Sequence, residues 1–135
     1  MTRFAIDADV VERLLRENRS VAARHQLVAP ASVKSEILAR LYREVRSGNL
    51  DEKEGRARLE TLAGLKMRLL ADRVSRATAW RIAAGLGWDE VGTAEYLAVA
   101  TLQADALVTD DADLMAASAG LIPLAGYEEL FADDA

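Results

Sequence analysis

The chain has no cysteine, one histidine and two prolines, and aromatic residues make up only 5% of it. Without cysteine there is no disulfide framework and no thiolate zinc site. No uninterrupted apolar run reaches the ~18 residues needed to span a bilayer, and no basic segment followed by an apolar one opens the chain. The expectation is therefore a soluble cytoplasmic protein with no membrane association. Lysine is scarce as well, and Arg greatly outnumbers it. The net charge of -5 is thus compatible with acidity concentrated at one site while arginines line other surfaces. Acidity alone does not exclude a nucleic-acid partner. Gly85-x-Gly87 follows a helical segment, not a strand, and is no dinucleotide fingerprint.

What is present fits one core. A chain of 135 residues is too short for two comfortable domains, so 1–135 is expected to form a single one. Strand-like runs alternate with helical patterns, which predicts an α/β fold with a central, mainly parallel sheet flanked by helices. The first strand spans Arg3 to Ile6 and is followed by a helix from Ala8 to Glu17, a short helical piece through Ala23 and a strand over Leu27–Ala29. Pro30 and Ser32 open a long helix that runs to Ser47 and stops at Gly48, with Ser32 as a capping residue. Val33, Ile37, Leu41 and Val45, with Leu38 beside them, give that helix a core-facing stripe. A polar helix covers Glu54 to Ala63, and Lys66–Leu70 is short and apolar enough for a third strand. Asp72 caps a helix through Ala84, ended by Gly85 and Gly87. A helix over Thr93–Gln103 leads into a strand over Ala106–Thr109, a short helix around Leu114–Ala119, and an edge strand over Leu121–Leu124, where Pro123 is tolerated.

Two acidic positions follow strands. Asp7 closes the apolar run Phe4-Ala5-Ile6, and Asp110, Asp111 and Asp113 follow Ala106-Leu107-Val108-Thr109. Open α/β sheets keep their chemistry beyond the carboxyl ends of the strands, so two such sites in a small domain suggest a shared cation. Each position also has a structural reading. Asp7 can serve as the cap of the first helix, and Asp110 and Asp111 as caps welcomed by a helix dipole. Glu36 lies four residues before Arg40, the spacing of an ordinary surface ion pair. Arg40, Arg43 and Arg46 fall on one side of the long helix, where they can meet phosphates or simply face water. Trp80 and Trp88 are expected to pack, and His25 to be exposed and noncatalytic.

Asp7 in FAIDADVV, Glu36 in APASVKSEIL, the helix TAEYLAVATLQ and the segment DALVTDDADL occur in the order and setting of a PIN domain. The chain specifically resembles the VapC toxin ribonucleases of bacterial toxin-antitoxin pairs, over Arg3 to about Leu124. The resemblance implies a PIN-like fold and an endoribonuclease that uses Mg²⁺ or Mn²⁺ to hydrolyse an RNA phosphodiester. It implies Asp7, Glu36 and Asp111 as catalytic, metal-binding carboxylates. Hard divalent cations favour such oxygen ligands, and the ion can activate water without a histidine or cysteine nucleophile. It further implies an RNA substrate, a VapB-like antitoxin covering the acidic groove, and a homodimer.

The chain departs from the family at a fourth position. Relatives usually open the TAEYLA helix with Asp, where this chain has Thr93. Glu95 is no simple replacement, since at about 100° per residue it lies about 200° around the helix from Thr93. The implied role of Thr93 is that of a ligand through water, and Asp89 or Glu90 in the preceding loop can swing a carboxylate toward the site. The departure leaves a second expectation, a catalytically weak or inactive PIN-fold binding module. A phosphoacceptor signalling domain would also place acids at strand ends, but the last lysine is Lys66, so none follows the late strand to contact a phosphoryl group.

Overall fold

The computed structural model describes residues 1–132. The expected single domain therefore has positions 133–135 outside the described residues. Five strands, β1 (Arg3–Ile6), β2 (Gln26–Pro30), β3 (Arg68–Leu70), β4 (Ala106–Val108) and β5 (Leu124–Ala125), form one sheet. Their order is β3-β2-β1-β4-β5, and every neighbouring pair is parallel. In register, Ala5 of the central strand pairs with Val28 on one side and Leu107 on the other. All three are fully buried, as strands covered on both faces require.

Six helices flank this sheet: α1 (Ala8–Glu17), α2 (Val33–Arg46), α3 (Glu52–Gly64), α4 (Arg73–Leu86), α5 (Gly92–Gln103) and α6 (Ala112–Ala117). Helices α1, α2 and α3 pack on one another, whereas α4 packs on α5 and α5 lies on β1 and β2. The stripe on α2 buries Val33, Ile37 and Leu41. Side chains of this size contribute about 1.5–3 kcal/mol each when fully buried. Helix α5 has no polar face along most of its length, because Ala94 and Tyr96 through Ala100 are all buried between β1, β2 and α4.

Several local expectations are corrected. The piece through Ala23 is not helical. Asn18 takes a left-handed conformation (φ 51°) that ends α1. Arg19 then turns away to donate two hydrogen bonds to Glu128, each 2.9 Å, with its guanidinium 3.5 Å from the centre of the Phe131 ring. Both partners belong to a 3-10 turn over Tyr127–Phe131, which local periodicity did not anticipate. Ser32 precedes α2 but makes no side-chain capping bond. Gly85 lies inside α4, and Gly87 alone ends it in a left-handed conformation (φ 70°). The last strand is shifted to Leu124–Ala125, with Pro123 just before it and its carbonyl accepting from Leu107. Leu38 is exposed and does not join the stripe, and Trp80 does not pack, being 75% exposed. Trp88 does pack, against the core and the α4–α5 contact. His25 is half-buried rather than exposed: its ring meets Phe4 edge to face, and Nε2 lies 2.7 Å from the Ala132 carbonyl.

Candidate active site

The chain lays β1, β2 and β3 in one direction across the sheet, then returns over β1 to place β4 and β5 on its other side. The reversal leaves a crevice between the carboxyl ends of β1 and β4, the position at which parallel α/β sheets bind ligands. Asp7 follows β1 directly and Asp111 lies in the turn after β4. The topology thus converts two residues 104 positions apart into neighbours of one cleft.

Asp7 is only 4% exposed. One carboxylate oxygen accepts from the Val10 amide at 2.9 Å, capping α1, and the other accepts the Thr109 hydroxyl. That hydroxyl oxygen in turn accepts from the Asp111 amide at 3.0 Å, so Thr109 staples the loop after β4 to the end of β1. Asp111 caps α6 through its Oδ1, which accepts from Leu114 at 2.9 Å. The capping and cleft-lining roles therefore coincide, and they are compatible, since a carboxylate offers about four acceptor positions. Burial pushes the Asp7 pKa up; the Thr109 and Val10 hydrogen bonds oppose the rise, and the charges of Asp9 and Asp111 add to it. A buried carboxylate with acidic neighbours is a place where a cation offsets both desolvation and repulsion.

Glu36 projects from the first turn of α2. Its Oε1 accepts the Tyr96 hydroxyl at 3.1 Å and its Oε2 accepts from Arg40 at 2.8 Å. Tyr96 is buried, and burial first, then the Glu36 charge, raise its pKa, which keeps the phenol protonated and donating. Arg40 also reaches Asp9 at 2.7 Å and Glu12 at 2.6 Å on α1. It is therefore committed to carboxylates, not held out for phosphate, while Arg43 and Arg46 are exposed farther along the helix.

Asp7, Glu36, Thr93 and Asp111 line a single polar cleft, joined there by Asp9, Arg40, Glu90 and Tyr96. Thr93 faces it from the first turn of α5. Glu95 does not: its carboxylate accepts from Ser32 at 3.2 Å, on the side where the helical angle sends it. Asp89 lines an adjoining depression with Thr93 and Asp113, and Asp110 is exposed, 3.7 Å from Arg13. Tyr96, Thr109 and Asp9 were not singled out in the sequence. For Tyr96 a signal existed, since three residues after Thr93 is the spacing that shares a helix side.

The donors facing the cleft are oxygens, the set that suits a hard cation such as Mg²⁺ or Mn²⁺ and no soft metal. Asp7, Asp111 and Glu36 would hold it, with Thr93 acting through water. Among the described residues, no three acidic or histidine side chains are already gathered around one point as a metal cage would gather them. A partly hydrated ion, using few protein ligands and keeping several waters, fits such a loose set.

The fold and cleft together define an α/β domain with an all-parallel five-stranded sheet and an acidic cleft at its carboxyl edge. No protein-family model and no curated protein sequence matches the chain. Solved structures do. The crystal structure of PAE2754 from Pyrobaculum aerophilum is 23% identical, with a TM-score of 0.74 over 96% of this chain and 92% of that one. VapBC2 from Rickettsia felis, bound to a DNA fragment from its promoter, has a TM-score of 0.65 at 8% identity, covering 92% of this chain and 98% of that one. VapBC-1 from nontypeable Haemophilus influenzae has a TM-score of 0.63 at 11% identity, covering 93% and 98%. The likeness is one of fold, preserved over nearly the full length of each chain.

Proposed function

We propose that this protein is a divalent-metal-dependent endoribonuclease of VapC type, a toxin restrained by a VapB-like antitoxin and assembled as a homodimer. The observation that carries the reading is the convergence of Asp7, Glu36, Thr93 and Asp111 on one cleft at the carboxyl edge of the sheet. Fold likeness to the VapBC2 and VapBC-1 structures supports the antitoxin part.

When bound, Mg²⁺ or Mn²⁺ would lower the pKa of water and screen the phosphate charge. The chain's residues do the rest. Asp7, rigid because both its oxygens are hydrogen-bonded, fixes one side of the cleft. Asp111 is fixed through the Thr109 staple and its cap to α6. Tyr96 holds one oxygen of Glu36 while Arg40 holds the other, so the carboxylate is fixed at the side of the cleft. The Thr93 hydroxyl can orient a water at the cleft mouth but supplies no negative charge, which fits slower hydrolysis than a fourth carboxylate would allow.

The test is cleavage of a mixed RNA pool with Mn²⁺, with chelator, and with Asp7→Asn. Cleavage by the parent only in Mn²⁺, and a loss of at least about 100-fold in Asp7→Asn, is expected, because removing one well-placed charge-stabilising group typically costs 10²–10³ in rate. Mn²⁺ binding by a parent that leaves RNA intact would favour the alternative, a PIN-fold binding module without useful catalysis.

A further inference from the structure

Among the described residues, Arg40 is the one basic side chain that lines the acidic cleft. Its Nη1 serves Asp9 and Glu12, both on α1, while Nη2 serves Glu36 on its own helix. The side chain is 29% exposed, so these contacts are less screened than those of an ordinary surface pair. An i, i+4 pair accounts for the Glu36 contact alone; the two contacts to α1 make this a cross-helix clamp centred on a guanidinium. Glu36 is engaged at both oxygens, since Tyr96 holds the one that Arg40 does not.

We propose that Arg40 is the internal counter-cation of this cleft: it holds Glu36 in the metal-free protein and competes with the divalent ion for that carboxylate, thereby setting the affinity of the site. The inference rests on the metal-dependent reading given above. A guanidinium hydrogen-bonded to Glu36 Oε2 takes an acceptor that an ion needs and places a positive charge beside the position the ion would take. Charge-assisted bonds of 2.6–2.8 Å are the strong kind, so the competition is substantial. It is also reversible. When Glu36 leaves, Asp9 and Glu12 still pair with the guanidinium, and Arg40 is not stranded without a partner.

The experiment is a calorimetric Mn²⁺ titration of the full chain, with a thermal melt on the same samples, for the parent, Arg40→Gln, Arg40→Lys and Arg56→Gln. Arg56 pairs with Glu52 on exposed α3 and controls for net charge alone. Arg40→Gln should melt lower than the parent without metal, bind Mn²⁺ roughly 10-fold tighter, and show a larger rise in melting temperature with Mn²⁺, on the scale at which neighbours of metal ligands act. Arg40→Lys should bind with intermediate affinity, because a compact ammonium cannot span three carboxylates as the planar fork does. Arg56→Gln should match the parent. Should Arg40→Gln not fold, Arg40→Lys alone decides. If the parent binds Mn²⁺ and the Arg40 variants bind no tighter, the competition is overturned while the metal site stands. If neither the parent nor any variant gives heat or a melting shift with Mn²⁺, both the competition and the metal-dependent reading fall.

Discussion

Thr93 places a neutral hydroxyl where the resembled family usually presents a carboxylate, in a cleft whose acids outnumber its single guanidinium, Arg40. Thr93→Asp should tighten Mn²⁺ binding by about 10 to 100-fold, the usual range for changes beside metal ligands. Glu95→Gln should leave the titration unchanged, because Glu95 is turned to Ser32 on the far side of the helix. No gain in Thr93→Asp together with lost binding in Glu95→Gln would mean that other residues of α5 face the ion. At this scale the sequence was informative where geometry is local. A strand-end Asp before a helix is both a cap and a cleft residue, and the angle between Thr93 and Glu95 follows from helical pitch alone. It was silent where partners are remote. Nothing within a few residues of Arg40 shows that Asp9 and Glu12 will share its guanidinium, and nothing near Thr109 shows that its hydroxyl will bridge to Asp7, 102 positions away. Trp80 differs from expectation for the same reason: an indole on a helix is usually packed, and only the surrounding elements show that this one is not.

Between elements, the crossing of α2 and α3 depends on Gly55. A Cβ at this position would lie 2.7 Å from Val45 Cγ2. Val is held to essentially one rotamer in a helix and cannot swing away. Glycine inside a helix costs roughly 0.5–1 kcal/mol relative to alanine, whereas overpacking costs about 1–3 kcal/mol. The second effect should win, so Gly55→Ala is expected to destabilise the fold by about 1 kcal/mol, read as a lower urea midpoint at unchanged slope. In a Val45→Ala background the clash disappears and the same change should stabilise. A Gly55→Ala gain in both backgrounds would show that the helices separate more easily than their contact suggests. The end of α2 was legible from Gly48, whereas α3 begins at Glu52, two residues before the expected Glu54. The close approach was not, because a glycine in a polar helix gives no sign of what will lie against it.

For the whole molecule, the toxin reading proposed above leads to the expectation of a small protein partner. A VapB-like antitoxin encoded beside this chain, coexpressed with it, should elute as one complex on size exclusion and suppress RNA cleavage. A neighbouring candidate that elutes separately and leaves cleavage intact would count against the toxin reading. Among the described residues no helix is long and apolar enough to cross a membrane. The parallel sheet and its first four strands were legible as alternating patterns, whereas the last strand was legible only at Leu124 and the strand order was not, since periodicity cannot say that β4 inserts beside β1. That insertion has a consequence in time. Ribosomes release the chain from its first residue onward, and Asp7, Glu36, Thr93 and Asp111 emerge in that order. The crevice needs β4 against β1, so every shorter nascent chain lacks both the central pairing and the last carboxylate. The strand order therefore keeps a growing polypeptide incomplete at its cleft until translation has passed residue 111.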